Sequence, residues 1–79
     1  MKVSIEDILK AREVISPITK RTDLDLSASA TKVMGSEIYF KFENQQHTGS
    51  FKLRGALNKI ASLSEAEKKR GVVASSAGN

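Results

Sequence analysis

The sequence predicts an α/β fold in which helical segments are interspersed with two strands. Residues 37–43 alternate apolar and polar side chains, as a half-buried strand does. Val72-Val73-Ala74 is apolar without alternation and rich in β-branched residues, which is typical of a strand covered on both faces in a parallel sheet. Four other segments carry helical patterns. The predicted order is therefore helix-helix-strand-helix-helix-strand.

The first helix is predicted from Ser4 to Ile15. Ser4 and Asp7 resemble a capping box, and Pro17 ends the pattern. The apolar positions at helical spacing are Ile5, Ile8, Leu9 and Ile15. Residues 18–26 are polar and broken by threonine and aspartate, so we expect an extended connection there.

A short second helix is predicted through Met34, capped by either Ser27 or Ser29. Gly35 is suited to end it, because glycine readily adopts the left-handed conformation. The strand at 37–43 follows, with one face predicted to be buried, and that face carries Ile38, Phe40 and Phe42.

The third helix is predicted from about Ser50 to Leu63, after a polar loop at 44–50. Its expected buried stripe consists of Leu53, Ala56, Leu57 and Ile60. Ser64 and Glu67 then form a capping box for a fourth, short helix that ends at Gly71.

Size and composition limit the possible functions. The chain has 79 residues, no cysteine and a net charge of +4, so it holds one small domain at most and no disulfide compensates for a small core. The basic cluster at 68–70 follows Glu65 and Glu67, as on a solvated helix face. We therefore expect no nucleic acid as partner. The alternative, a small basic nucleic-acid binder, predicts an affinity for nucleic acid that falls steeply with salt.

The N-terminus has acidic residues and no apolar region of the kind a signal peptide needs. No stretch approaches the roughly 20 apolar residues of a membrane-spanning helix. We expect a cytoplasmic protein with no membrane partner, and the lack of cysteine agrees with that compartment.

Lys52 lies at the start of the third helix, to one side of the apolar stripe. Unpaired N–H groups there carry partial positive charge, which disfavours an ammonium group by a few tenths to about 1 kcal/mol. This favours the neutral amine, the form that attacks a carbonyl in imine chemistry. The same N–H groups favour an anion such as phosphate or carboxylate. Position alone leaves open a second interpretation, a solvated surface lysine.

The last five residues, Ser75-Ser76-Ala77-Gly78-Asn79, have the composition of the turn that follows a strand. Small residues let a ligand approach the backbone, and α/β proteins bind ligands at the carboxyl ends of parallel strands. Because the chain stops within this loop, we expect it to be the N-terminal piece of a longer protein. A frayed polar tail is the alternative.

Three motifs occur in order along the chain. They are Lys41-Phe42-Glu43-Asn44, Thr48-Gly49-Ser50-Phe51-Lys52-Leu53-Arg54-Gly55-Ala56 and Ser76-Ala77-Gly78-Asn79. At these spacings they resemble the serine/threonine dehydratase family, whose members are pyridoxal-phosphate enzymes of fold type II. The similarity extends from the first helix to the last residue and is greatest to the bacterial threonine ammonia-lyases.

The resemblance implies two open α/β domains with the cofactor in the cleft between them. Residues 1–50 would be the N-terminal segment of the large domain, and 51–79 the start of the small domain, with the chain truncated after position 79. Full-length members would be homo-oligomers. Folding alone, the fragment could pair its two strands in parallel through a right-handed crossover; otherwise partner chains would cover its apolar faces.

The resemblance also implies roles for single residues. Lys52 would carry pyridoxal 5′-phosphate as a Schiff base, then take the α-proton and help the β-hydroxyl leave. Phe51 would pack beside the cofactor ring, and Asn79 would hydrogen-bond its 3′-hydroxyl. A structural role is expected for Arg54, and no metal is expected. The substrate carboxylate would be received by Ser76, Ala77, Gly78 and Asn79.

Ala77 distinguishes between reactions of the family. In related serine racemases a serine stands before the Gly-Asn pair and serves as acid/base on the second face of the cofactor, whereas Ala77 has no proton to give. A single base at Lys52 favours elimination. The expected reaction converts L-threonine, and more slowly L-serine, to the 2-oxo acid and ammonia. The alternatives are a racemase, a β-replacement enzyme, and a non-catalytic fragment or interaction module.

Two parts of such a site are missing from the sequence. The family's glycine-rich phosphate loop and the partner of the pyridine nitrogen lie far downstream, and the 5 glycines here are dispersed. We therefore expect the 79-residue chain alone to bind the cofactor weakly and not to turn over threonine.

Overall fold

A computed structural model describes residues 1–78 of the chain. Its regular elements alternate helices with two short strands before two consecutive helices. In chain order they are α1 (Ile5–Ile15), β1 (Leu24–Leu26), α2 (Ala28–Met34), β2 (Tyr39–Lys41), a 3₁₀ helix (Glu43–Gln45), α3 (Lys52–Ala61) and α4 (Glu65–Arg70).

Side-chain caps set the beginnings of the first two helices. At α1, Asp7 N donates to Ser4 Oγ at 3.1 Å while Ser4 N donates to Asp7 Oδ2 at 2.9 Å, which is the predicted capping box. At α2 the cap is Ser27, whose Oγ accepts from Ala30 N at 3.2 Å. Gly35 ends α2 with a φ of 73°, as predicted.

The predicted capping box of α4 is also present. Glu67 N donates to Ser64 Oγ at 3.1 Å and Ser64 N donates to Glu67 Oε1 at 2.8 Å. Gly71 follows the last residue of the helix. These boundaries were predictable because each cap joins residues three positions apart.

The sheet differs from the prediction. β2 pairs antiparallel with β1, with Leu24 opposite Lys41 and Leu26 opposite Tyr39. β1 lies in the segment predicted as an extended connection, and three residues are too few to display an alternating pattern. Residues 72–74 form no strand in this structure and are exposed, so the strand predicted there is wrong, and the parallel pairing, one of the two alternatives left open, is not formed. A strand of that type needs neighbouring strands, which the described residues do not supply.

Few apolar side chains are buried. Ile15, at 8 % exposed, is the one buried hydrophobic residue in the part of the chain that the structure describes. Helix α1 packs against α3, and Leu53 and Leu57 of the predicted stripe are half-buried. Ala56 and Ile60 are exposed, so that prediction is only half confirmed.

The strand predicted at 37–43 is shorter than expected, and its predicted buried face is only partly covered. Ile38 and Phe42 are half-buried, whereas Phe40 is 48 % exposed, and all three residues of β2 are exposed. A two-stranded ribbon has no layer to cover its faces unless another element packs on it. Within residues 1–78, every helix falls short of the length and apolar character that a membrane crossing requires.

Candidate functional site

Lys52 is the first residue of α3, as the sequence predicted. Phe51 precedes it with helical dihedral angles, and as the N-cap residue it makes no side-chain capping hydrogen bond. Both residues are exposed, and across residues 1–78 no acidic side chain lies within ion-pair distance of Lys52. An accessible amine therefore lies beside helix N–H groups that attract anions.

The loop before Lys52 is ordered by its own backbone. Gln46 N donates to Glu43 O at 3.1 Å, and Gly49 N donates to Gln46 O at 2.9 Å. Gly49 has a φ of 78°, which an L side chain rarely adopts, so glycine is needed for the turn into α3. Lys52 N then lies 3.3 Å from Ser50 Oγ, which accepts its hydrogen bond.

Three side chains, Thr22, Glu43 and Arg54, form a hydrogen-bonded group that we call the Glu43 network. Arg54 Nε donates to Glu43 Oε2 at 2.9 Å and a terminal nitrogen of Arg54 donates to Glu43 Oε1 at 2.9 Å. Thr22 Oγ1 donates to the same Oε1 at 2.6 Å. The Glu43 side chain is only 14 % exposed. Such a two-point pair fixes orientation as well as distance, which agrees with the structural role expected for Arg54.

The Glu43 network controls the charge of its carboxylate. Hydrogen bonds from Arg54, and then from Thr22, lower the pKa of Glu43 to about 2 from an ordinary value of 4.5. The hydrogen bond to Glu43 in turn raises the pKa of Arg54. Glu43 and Arg54 are therefore both ionised at neutral pH.

A second polar contact, the Gln46–Lys20 pair, secures the loop nearby. Gln46 is 4 % exposed. Its Oε1 accepts from Lys20 N at 3.0 Å, and its Nε2 donates to Lys20 O at 2.7 Å. The side-chain amide thus satisfies a backbone segment that has no strand partner. His47 Nε2 lies 3.0 Å from Ile18 O, and Lys41 Nζ donates to Thr22 O.

Sequence reasoning missed both of these polar contacts. Thr22 and Glu43 are 21 positions apart, and Lys20 and Gln46 are 26 positions apart. No local rule of spacing pairs residues so distant. The one signal was that Glu43 and Arg54 flank Lys52 within motifs already singled out.

An open cleft of about 460 Å³ lies beside the Glu43 network. Basic residues dominate its lining, which consists of Arg12, Ser16, Thr19, Lys20, Arg21, Lys41 and Arg54. Lys52 is not among them, so this cleft is not the site of the lysine chemistry.

The segment predicted to bind the substrate carboxylate is not joined to Lys52. Ser76, Ala77 and Gly78 are exposed and lack regular structure. Gly78 N donates to Ser76 Oγ at 3.1 Å, and within the described chain no hydrogen bond or ion pair links residues 72–78 to the loop before α3. The predicted site residue Asn79 lies outside the described residues.

Comparisons with known proteins bear on this arrangement. A family described as "Pyridoxal-phosphate dependent enzyme" matches residues 15–79. An L-threonine ammonia-lyase of Thermotoga maritima is 56% identical over 77 residues, which cover 98% of this chain and 19% of that protein. The L-threonine dehydratase catabolic TdcB of Escherichia coli K12 is 47% identical over 79 residues, covering 100% of this chain and 24% of that protein.

A serine racemase of Dictyostelium discoideum is 44% identical over 77 residues, covering 98% of this chain and 24% of that protein. The chain therefore spans about a fifth to a quarter of the length of the curated relatives that it matches. Relatives named as an ammonia-lyase, a dehydratase and a racemase thus align with almost the whole of this chain.

Proposed function

The chain belongs to the family of pyridoxal-phosphate dependent enzymes, and from this membership we propose that it supplies the cofactor-attaching segment of a threonine-dehydrating lyase. The family resemblance of the three motifs is thereby confirmed, together with the family's cofactor. Relatives named threonine ammonia-lyase and threonine dehydratase, which align along almost the whole chain, support the choice of reaction.

The observation that carries this proposal is the position of Lys52. Lys52 is exposed at the beginning of α3, where the N-cap residue Phe51 makes no side-chain capping hydrogen bond. An amine beside anion-attracting N–H groups fits a ligand that carries an aldehyde and a phosphate. Lys52 would hold the cofactor covalently, Phe51 would lie beside its ring, and Asn79 would hydrogen-bond its 3′-hydroxyl.

When bound, the cofactor supplies an electron sink for the charge left on the substrate's α-carbon. The remaining steps belong to this chain's own residues. Once the substrate's amino group has taken its place on the cofactor, Lys52 Nζ would be a free amine, and we assign to it the removal of the α-proton and the transfer of a proton to the departing β-hydroxyl. The substrate carboxylate is assigned to four residues, Ser76, Ala77, Gly78 and Asn79.

Ala77 favours elimination over racemisation. Racemisation needs a proton donor on each face of the substrate's α-carbon, and a methyl group cannot provide one. The proposed substrates are therefore L-threonine and, more slowly, L-serine, with the 2-oxo acid and ammonia as products. The serine racemase among the relatives keeps racemisation as the second candidate reaction.

We further propose that residues 1–50 belong to the large domain of a two-domain fold type II enzyme and residues 51–79 to the small domain. The loop that precedes α3 would then lead into the cleft between them. Exposed apolar side chains, among them Val33 at 82 % exposed, support packing against further protein in a homo-oligomer. The cytoplasm remains the proposed compartment.

Reductive trapping tests the proposal directly. The chain is incubated with pyridoxal phosphate, reduced with borohydride and digested, and the labelled lysine is identified by peptide mass. We expect the adduct on Lys52, abolished in Lys52→Ala and retained in Lys59→Ala, a matched control that removes another exposed lysine of α3. Label scattered over Lys68 and Lys69 would contradict a formed site.

Turnover of threonine is measured on the same sample. We expect none from the 79-residue chain by itself, because the phosphate loop and the partner of the pyridine nitrogen are missing from its sequence. Saturable production of 2-oxobutanoate would show that expectation to be wrong.

A further inference from the structure

The Glu43 network joins the beginning of the loop that precedes Lys52 to the first turn of α3, which follows that loop. Glu43 is the first residue of the 3₁₀ helix after β2, whereas Arg54 is the third residue of α3. We propose that Glu43 is a positioning residue which, through Arg54, sets the rotation of α3 and so directs Lys52 toward the cofactor. This inference rests on the proposed role of Lys52 and adds a residue that acts on it from a distance.

The helical geometry explains how a contact of Arg54 can direct Lys52. Successive residues of an α-helix are about 100° apart, so positions 52 and 54 project roughly 200° from each other. The two hydrogen bonds from Arg54 to Glu43 therefore hold one side of the first turn. Lys52 is left on the opposite side, where it is exposed.

The other end of the Glu43 network is anchored to the sheet. Thr22, which donates to Glu43, is 8 % exposed and lies just before β1. Phe42 N donates to Asp23 O at 3.3 Å, which extends the pairing of the two strands up to Glu43. Glu43 thus connects the ribbon of β1 and β2 to the first turn of α3 and fixes the position of that turn relative to the ribbon.

A carboxylate paired at two points suits this task better than an apolar contact. Apolar side chains can slide or repack at small cost, whereas a fork of two N–H donors on one carboxylate permits a single orientation. Lysine in place of Arg54 keeps the charge but loses the fork. Aspartate in place of Glu43 keeps the charge but shortens the reach by one methylene.

These distinctions define the experiment. The chain and its variants Glu43→Gln, Glu43→Asp and Arg54→Lys are labelled with pyridoxal phosphate and borohydride, and the fraction of the adduct on Lys52 is measured. The matched control is Glu65→Gln, which removes the Lys68–Glu65 ion pair of 3.7 Å on α4. It makes the same chemical change at a carboxylate outside the Glu43 network.

We expect Glu43→Gln to lower the Lys52 fraction about tenfold, because small misplacements of a reacting group have large effects on its reaction. Glu43→Asp and Arg54→Lys should both lower it as well, although they conserve charge. Glu65→Gln should leave it unchanged. An unchanged Lys52 fraction in Glu43→Gln overturns the proposal. It is also overturned if Glu43→Asp and Arg54→Lys both show the same Lys52 fraction as the unaltered chain.

Amide hydrogen exchange separates positioning from general loss of structure. In Glu43→Gln the amides of Gly49 and Arg54 should exchange faster, while those of α1 keep their wild-type rates. If α1 loses protection to the same extent in every variant that loses label, the role of Glu43 is only structural and the proposal fails.

Failure of the proposed function would look different. In that case the unaltered chain shows no preference for Lys52, and the amide exchange alone decides the inference. Faster exchange at Gly49 and Arg54 in Glu43→Gln, but not in Glu65→Gln, would support Glu43 as the residue that holds the first turn of α3. Equal exchange in the two variants would overturn it.

Discussion

The loop that leads into α3 and the segment that ends at Gly78 carry motifs of the same family, but their surroundings differ. Side-chain hydrogen bonds that span 19 to 29 positions tie the loop to residues 18–22. Residues 72–78 make one side-chain hydrogen bond within the described chain, from Gly78 N to Ser76 Oγ. Half of the proposed site is therefore held in place, and half is not.

The difference between these regions shows which contacts a short chain can complete. The Glu43 network and the Gln46–Lys20 pair need partners only from residues 18–54, all of which are present. A strand at 72–74 needs strands on both sides, and the described ribbon of β1 and β2 offers none in the predicted parallel sense. Polar pairing thus gives the loop order even though apolar burial is sparse.

The largest expected effect comes from breaking the Gln46–Lys20 pair. Gln46→Ala removes the hydrogen-bond partners of the backbone N–H and C=O of Lys20 at a part-buried contact, which costs about 1–3 kcal/mol. Urea unfolding followed by circular dichroism measures the loss. Ser76→Ala is the matched change in the other region and should alter stability by less than about 0.5 kcal/mol. Equal losses would mean that the two regions do not differ as described.

Two glycines offer a comparison with opposite signs. Gly49→Ala should destabilise the chain by roughly 1–2 kcal/mol, because a side chain is strained at a φ of 78°. Gly55 lies within α3, where a Cβ added to it would have no neighbouring atom within 4 Å apart from its own helix backbone. Gly55→Ala should therefore stabilise the chain by roughly 0.4–1 kcal/mol. Thermal unfolding gives both signs. Destabilisation by Gly55→Ala would mean that α3 is packed more closely than described.

A smaller effect is expected from acid. The pKa of Glu43 is lowered to about 2, so its contribution to stability is present above the ordinary value of 4.5 and is lost as the pH falls toward 2. The groups around it that stabilise the charged form are Arg54, Thr22 and Gln46. The protection of the Gly49 amide against exchange, relative to an unstructured peptide at the same pH, should fall across that range, while that of residues 72–78 should show no transition.

Two other carboxylates have lowered pKa values and serve as the control. Asp7 and Glu67 owe their lowered pKa values chiefly to the backbone hydrogen bonds of their capping boxes. Their response should persist in Glu43→Gln, whereas the response of Gly49 should disappear. A response of Gly49 that remains in Glu43→Gln would show that another group controls the loop.

What the sequence predicted well depends on residues close in the chain. The capping residues Ser4, Ser27 and Ser64 act over three positions, and Gly35 acts at its own position, so composition reveals them. The position of Lys52 at the beginning of a helix followed from the same local rules. Its role came only from the family resemblance.

What the sequence did not predict depends on residues far apart. The pairing of β1 with β2, the Thr22–Glu43 contact and the Gln46–Lys20 pair all join segments that lie on either side of α2 in the chain. The failed strand at 72–74 also concerns residues far apart, because its composition favours a strand with parallel neighbours, which residues 1–78 do not supply.

The use of a glutamine side chain in place of a strand has a consequence for chemical ageing. Gln46 presents a donor to one Lys20 group and an acceptor to the other. Hydrolysis of its amide to a carboxylate would keep the acceptor but turn the donor into a second acceptor facing the carbonyl oxygen of Lys20. This spontaneous reaction, with a gain of ~1 Da by the exchange of NH₂ for OH, would thus weaken one attachment of the loop while leaving every backbone bond intact. The persistence of that attachment therefore depends on a single side-chain amide.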